Sequence, residues 1–255
     1  MLIDFTGKTV LITGGSRGIG KACAILFASL NANVIITYNT DHDTAERTLT
    51  GLAHGGNHGL YQLDQSQPKN VERFFNKVLE HYPKIDVLVN NAGVYIEHKI
   101  NEVTYEEWLQ SWEDTIGTNL NGVANLCFFA SRHMIHNGEG KIINISSRGA
   151  FRGEPDHPAY AASKAGLNAM SQSLAVSLAP HDVSVHIIAP GFVETDMTSD
   201  LLNSEAGKAI KSQSPYNRVA TAEEVARLAA MYASPGMEFT TAGIIDLNGA
   251  SYLRS

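Results

Sequence analysis

Short apolar runs alternate with stretches of helical periodicity along the whole chain. The run KTVLIT at residues 8–13 is apolar after its lysine and stops at a pair of glycines, as a strand buried on both faces in a parallel sheet should. Comparable runs stand at 33–38 (NVIITY), 58–63, 85–90 (IDVLVN), 141–145 (KIINI), 183–189 (VSVHIIA) and 244–247. Helices are predicted between them. The first covers 18–30, where Ala22, Ile25, Leu26 and Ala28 recur at helical spacing, and the second covers 43–54, ended by Gly55 and Gly56. A third covers 68–80, with Val71, Phe74, Phe75 and Val78 on one face. Helical patterns also cover 105–137, broken near Asp114, and 159–178. The last covers 221–233 and opens on a threonine cap with Glu223 and Glu224 in its first turn. Strict alternation of strand and helix predicts an α/β fold, a doubly wound parallel sheet of about seven strands flanked by helices. No internal repeat, low-complexity tract or linker interrupts the pattern, so residues 1–255 are expected to form a single domain.

Composition narrows the partners. The net charge of −7, a sequence pI near 5.8 and the absence of any basic block argue against nucleic acid or an anionic membrane. No apolar run approaches the ~20 residues of a membrane span. The N-terminal MLIDFTGKTVLITGG runs directly into a strand, with no basic region and apolar core of a signal peptide. Cys23 and Cys127 both fall in predicted helices, so a structural disulfide is not expected and a reducing cytoplasm fits.

The junction between the first strand and first helix carries Gly14, Gly18 and Gly20 within TGGSRGIG. Glycines there allow a tight turn and close approach of the backbone to a pyrophosphate, whose charge meets a helix N-terminus. An ordinary glycine turn is the competing reading, and the position at the first strand–helix junction favours a dinucleotide. The cofactor candidates in this loop are Gly14, Ser16, Arg17, Gly18, Ile19 and Gly20. Asp64, followed by Gln65, ends the third strand, where a carboxylate can accept from an adenine amino group or simply open a loop. Asn91, Ala92 and Gly93 follow the fourth strand, small enough to leave room for a ribose. An acid at the end of the second strand would hold the ribose hydroxyls of NAD. Here Tyr38, Asn39 and Thr40 stand instead, and Arg17 is close enough to pair with a 2′-phosphate, so NADP is preferred over NAD. Asp41 and Asp43 oppose that choice.

The chemistry sits in Tyr160-Ala161-Ala162-Ser163-Lys164, thirteen residues after Ser147. Tyr and Lys four apart share a helix face, where they commonly form only a surface pair. The serine at the end of a strand and the glycine loop change that reading. A phenol is a poor base at neutral pH, and a nearby ammonium lowers its pKa so that it can exchange a proton with a substrate oxygen. Ser147 can donate to the same oxygen, an electrostatic role, with Ser146 as its rival. A second copy of the pair, Tyr95 and Lys99, lacks the preceding serine and serves as an internal control. A serine hydrolase is the weaker rival reading. The pairs His54–His58 and His133–His136 lack partners for a metal, the latter reading as exposed helix residues, so no metal is expected.

Taken together, TGGSRGIG, NNAG, Asn119, Ser147, YAASK and PGFVET resemble the short-chain dehydrogenase/reductase family in order and over essentially the whole chain. The resemblance implies a Rossmann-type fold, NAD or NADP, a homotetramer, and a catalytic tetrad carried here by Asn119, Ser147, Tyr160 and Lys164. Asn119, with Asn121 as the neighbouring alternative, would hold a water linking Lys164 to solvent. Lys164 and Tyr160 would also touch the nicotinamide ribose. In Pro190-Gly191-Phe192-Val193-Glu194-Thr195, Pro190 and Gly191 would belong to the cofactor site, and Val193 and Thr195 would contact the carboxamide. Residues 196–215 then look like a substrate lid, with Met197, Leu201 and Leu202 apolar enough to cover a site. Two features depart from the family pattern: GTNL around Asn119 and the ending TTAGIIDLNGA. The implied activity is hydride transfer between nicotinamide and a small-molecule carbonyl or secondary alcohol. A narrower alternative is reduction of 3-oxoacyl groups on an acidic carrier protein, which needs basic residues at the entrance, such as Arg148 and Arg152, although Glu97, Glu154 and Asp156 are also near. A catalytically silent dinucleotide sensor is the alternative of another class. Tyr95, Phe151, Arg152, His157 and Phe192 are the expected substrate-lining side chains.

Overall fold

The computed structural model describes residues 3–53, 55–195 and 198–254. Seven parallel strands form one sheet. In chain order its first four are β1 (Thr9–Ile12), β2 (Asn33–Tyr38), β3 (Gly59–Gln62) and β4 (Val87–Asn90). The helices among them are α1 (Gly18–Ser29), α2 (His42–Thr50) and α3 (Pro68–His81). Then come α4 (Tyr105–Ile116), a π-helical segment (Gly117–Gly122), α5 (Val123–Asn137), β5 (Gly140–Ile145), α6 (Gly149–Arg152) and α7 (Pro158–Leu178). The chain continues through β6 (Val183–Pro190), β7 (Val193–Glu194), α8 (Ser199–Leu202), α9 (Glu205–Ser212), β8 (Ala220–Thr221), α10 (Ala222–Ala233) and β9 (Ile244–Leu247).

The sheet order is β3-β2-β1-β4-β5-β6-β9, and β7 pairs only with β8. Consecutive strands thus march outward from β1 in one direction and from β4 in the other. The crevice above the C-terminal ends of β1 and β4 is the topological switch point, where ligands of such sheets bind. Side-chain alternation divides the strands between two cores. Val10, Ile12, Val34, Ile36, Val89 and Ile143 pack with α1 and α10 on one face. Leu11, Ile35, Leu88, Ile142 and Val185 pack with α3, α5 and α7 on the other. Both faces are covered, which is why the strands read as continuous apolar runs.

Two helix boundaries differ from the periodicity. The second helix stops at Thr50 instead of reaching residue 54, because the Gly51 N–H closes onto the Arg47 carbonyl and Leu52 turns inward to become buried. The stretch 105–137 is not broken near Asp114. It continues through the π-helical segment, whose wider turn lets Gly122 lie against the Gln65 backbone: a Cβ there would come 2.9 Å from the Gln65 carbonyl carbon. The lid region contains α8 and α9, with Leu202 buried and Leu201 exposed. Asp196 and Met197 of that expectation lie outside the described residues.

Candidate active site

The phosphate end is built by glycines that could not be anything larger. Gly14 and Gly18 hold φ of +63° and +54°, the left-handed region, and a Cβ on Gly20 would run into the Gly14 carbonyl and come 2.6 Å from the Asn91 amide. Asn91 pins the same loop by donating to the carbonyls of Thr13 (2.9 Å) and Gly14 (3.1 Å), while the Gly14 N–H donates to Thr37 Oγ1 at 3.2 Å. The first turn of α1 has neither a side-chain cap nor an acidic residue, so its N–H groups are free to meet an anion. Above this loop opens a cavity of about 410 Å³ that runs along the switch point to Tyr160. Gly14, Ser16, Arg17, Gly18 and Ile19 line one end, and Gly20 lies buried behind them. The closely approached backbone and bare helix terminus fit a dinucleotide pyrophosphate.

Tyr38 and Asn39 line the wall above β2, whereas Thr40 is exposed and off the cavity, because the chain turns away to let Asp41 cap α2. Asp64 lines the next stretch, its carboxylate accepting from the Ser66 N–H (3.0 Å) and hydroxyl (2.7 Å). Gln65 also lines it, but its amide is spent on the Thr118 carbonyl at 2.8 Å. Asn91, Ala92 and Gly93 form the floor.

At the far end, Ser147, Tyr160 and Lys164 come together. Ser147 leaves β5 with its hydroxyl accepting from the Gly149 N–H at 3.0 Å and bonding the Tyr160 hydroxyl. Ser146, the rival, is buried against the Lys164 carbonyl. Tyr160 and Lys164 lie one turn apart on α7, with the ammonium 5.7 Å from the phenol ring centre. Lys164 is only 6% exposed and donates to the Ile145 carbonyl at 2.8 Å. Burial pulls its pKa down to about 8. Burial raises the Tyr160 phenol, and the Ser147 hydrogen bond partly opposes it. Burial thus leaves the phenol a proton donor at neutral pH, and the lysine charge acts on the tyrosinate once the proton has left.

Asn119 sits in the π-helical segment behind the cavity wall. Its side chain accepts from the Val94 N–H (2.8 Å) and donates to the Val94 carbonyl (2.9 Å) and Ser163 Oγ (3.3 Å). The amide thus clamps the loop after β4 to α7. Pro190, Gly191, Val193 and Thr195 line the cavity from the end of β6, and Thr195 packs against Gly18.

The substrate end needs correction. Tyr95 and Phe192 line the cavity; Phe151, Arg152 and His157 do not. Phe151 lies under the Arg254 guanidinium, 4.2 Å away, and His157 stacks behind Tyr95 with ring centres 3.6 Å apart. Arg148, expected at a basic entrance, does line the cavity, but it is 3% exposed and donates to Gln213 and Ser251. Lys99 pairs with Glu97 and Glu102, so the second Tyr-x3-Lys copy makes no catalytic pair. Thr37, Thr118 and Thr198 line the cavity without having been singled out, Thr37 being simply the next inward-facing position of β2, and Glu154, expected near the entrance, lines it as well.

Two of the histidines considered for metal serve the backbone. His58 accepts from the Val34 N–H, and His133 is half-buried, not exposed, accepting from the Ile85 N–H at 3.1 Å. His54 lies outside the described residues. Among the described residues, no three metal-ligating side chains cluster.

Comparison with known proteins agrees with this geometry. The chain is 38% identical over 251 residues to the 3-oxoacyl-(acyl-carrier-protein) reductase FabG of Chlamydia pneumoniae, covering 98% of each chain. It is 34% identical to the FabG of Escherichia coli, covering 98% of this chain and all of that one. A dehydrogenase/reductase from Sinorhizobium meliloti superposes with a TM-score of 0.91 at 28% identity, covering 99% of this chain and 98% of the other. A short-chain dehydrogenase from Burkholderia cenocepacia, in complex with NADP, superposes with a TM-score of 0.88 at 31% identity, covering 97% and 98%. Residues 14–249 match the family model described as enoyl-(acyl carrier protein) reductase, and with its Ser-Tyr-Lys cluster at the switch point the chain belongs to the short-chain dehydrogenase/reductase family.

Proposed function

We propose that this protein is an NADP-dependent oxidoreductase that interconverts a carbonyl and a secondary alcohol. One observation carries the reading: Ser147, Tyr160 and Lys164 converge at one end of a single cavity whose other end is the glycine loop. When bound, a reduced nicotinamide supplies the hydride. The Tyr160 hydroxyl donates its proton to the substrate oxygen as negative charge develops there. The Ser147 hydroxyl donates a hydrogen bond to the same oxygen, and the Lys164 ammonium, confined in a water-poor pocket, stabilises the tyrosinate left behind. Oxidation of the alcohol runs through the same groups in reverse.

NADP is favoured by the absence of a carboxylate at Tyr38 and Asn39 and by Arg17, exposed at the rim of the loop. Asp41, which weakened this choice, spends its carboxylate on the Thr44 N–H at 3.0 Å. The NADP complex of the Burkholderia relative supports the choice. The narrower reading, a 3-oxoacyl-carrier-protein reductase, is supported by the names of the curated relatives. It is weakened by the burial of Arg148, which leaves Arg152 as the exposed cation of that pair. Two free, buried thiols fit a reducing cytoplasm, and no helix among the described residues is long and apolar enough to cross a membrane. The test is consumption of NADPH and of NADH, followed by nicotinamide absorbance, against a panel of ketones. Turnover with NADPH preferred supports the reading, whereas cofactor binding without turnover of any carbonyl selects the silent sensor.

A further inference from the structure

One carboxylate in the catalytic cavity is not used by the mechanism. Glu154 lines the same cavity as Ser147 and Tyr160, six residues before the catalytic tyrosine. It is seated there by Gly149: a Cβ at that position would stand 2.8 Å from both Cγ and Oε1 of Glu154, so only glycine lets the side chain lie across α6. Its carboxylate bonds the Tyr95 hydroxyl. Tyr95 is itself fixed, its ring stacked on His157 and edge-on to the Tyr160 ring at 4.7 Å. The loop that carries it is tied to α7 by buried His98, which bonds the Ile96 carbonyl at 2.8 Å and accepts from the Ala159 N–H at 3.2 Å.

Arg148 and Arg152 are the cations that face this carboxylate. Neither forms an ion pair with it among the described residues; both turn to Oε1 of the Gln213 side chain, and Arg148 also to Ser251. The carboxylate, half-buried, thus keeps acceptor capacity directed at the space beside the catalytic phenol. A half-buried acceptor of this kind rewards a donor and repels a second anion.

We infer that Glu154 selects carbonyl substrates that carry a hydroxyl group beside the reacting carbon, and rejects those that carry a carboxylate there. The inference rests on the reading of the chain as a carbonyl reductase and names its substrate class. Tyr95 and Phe192 supply aromatic surface for the carbon atoms of such a substrate.

The experiment compares kcat/KM, with NADPH, for acetoin (a hydroxyl), butanone (neither group), acetoacetate (a carboxylate) and an acetoacetyl thioester. Wild-type protein is expected to favour acetoin over acetoacetate by at least about a hundredfold, the scale of a buried polar group left unpaired or opposed. Glu154→Gln, which keeps shape and the Tyr95 bond, is expected to raise acetoacetate relative to acetoin at least about tenfold. Tyr95→Phe, which frees the carboxylate, should move the ratio the opposite way, further towards acetoin, and by less. A wild-type preference for acetoacetate, butanone or the thioester overturns the inference and leaves the reductase reading standing. So does an unchanged ratio in a Glu154→Gln protein of wild-type Tm. If none of the four compounds is reduced although NADPH binds, both the inference and the reductase reading fail.

Discussion

At the scale of single residues, burial sets the chemistry. Tyr160 holds its proton because its environment disfavours the phenolate, so Tyr160→Phe is expected to leave NADPH affinity nearly intact and to lower turnover at least about a hundredfold, the scale of a lost general acid. A binding titration and steady-state rates check both halves. Near-normal turnover would remove the mechanism. Tyr95→Phe is expected to cost far less for a neutral ketone, since Tyr95 bonds Glu154 and its would-be partner Lys99 is engaged elsewhere. Lys164 gives a pH dependence. Its pKa in the folded chain, about 8, lies below the ordinary lysine value of 10.5 because burial penalises the charged form. In the free enzyme, kcat/KM for reduction should therefore fall as pH rises past about 8, where the charge that stabilises the tyrosinate is lost. The stability consequence has the opposite sense. Between these two values the unfolded chain binds a proton that the folded chain does not, so stability from this group rises with pH across that window. Lys164→Met should thus have a Tm at neutral pH no lower than wild type, with any advantage shrinking as pH rises from about 8 towards 10.5, while turnover collapses. A Tm well below wild type would show the lysine to be a structural residue.

At the scale of elements, the glycine loop, β4 and the π-helical segment form one support. Asn91 joins β4 to the loop, and Gly20 is the point of closest approach between α1 and that loop. Gly20→Ala should destabilise the protein by about 1–3 kcal/mol, because neither the Gly14 carbonyl nor the Asn91 amide can retreat freely, and should weaken NADPH binding by at least about tenfold. Thermal melts and cofactor titration measure the two effects, and wild-type affinity would show the loop not to be the phosphate site. The same elements show what a sequence displays and what it hides. Strands buried on both faces betray themselves as apolar runs, and the loop after β1 betrays itself through glycines whose backbone no other residue tolerates. Ser147, Tyr160 and Lys164 were legible because a strand end and one helical turn fix their relation locally. The π-helical segment was not, since its extra width answers a tertiary demand, the Gln65 backbone under Gly122, that periodicity along one helix cannot express. Glu154 was legible only as an acid near the entrance, and its seat inside the cavity was not, for the same reason: it depends on Gly149 and on Tyr95, some sixty residues away. Arg152 and His157, expected to line the substrate end, face other partners: Arg152 turns to Gln213 and His157 stacks on Tyr95.

At the scale of the whole molecule, what is left uncovered bears on assembly. The stretches 123–130 and 167–178 carry apolar residues on more than one side. Their inner faces, including Leu126, Cys127, Leu167 and Ala175, are fully committed to the sheet core. On the outside, Phe128 is 53% exposed and Val176 is 76% exposed, on two neighbouring helices, α5 and α7. A helix apolar on both sides is covered either by its own domain or by a partner, and here its own domain covers one side only. α7 also carries Tyr160 and Lys164, so contact between copies along it would hold the catalytic helix from behind. This supports the homotetramer that family membership leads one to expect. Light scattering of the protein at micromolar concentration should give four times the chain mass of 27.6 kDa. Phe128→Asp combined with Val176→Asp, both at exposed positions and so mild in their effect on the fold itself, should shift the protein to smaller species and reduce turnover as α7 loses its backing. A wild-type monomer would sink the tetramer, and a double variant that stays tetrameric would place the contact on another face.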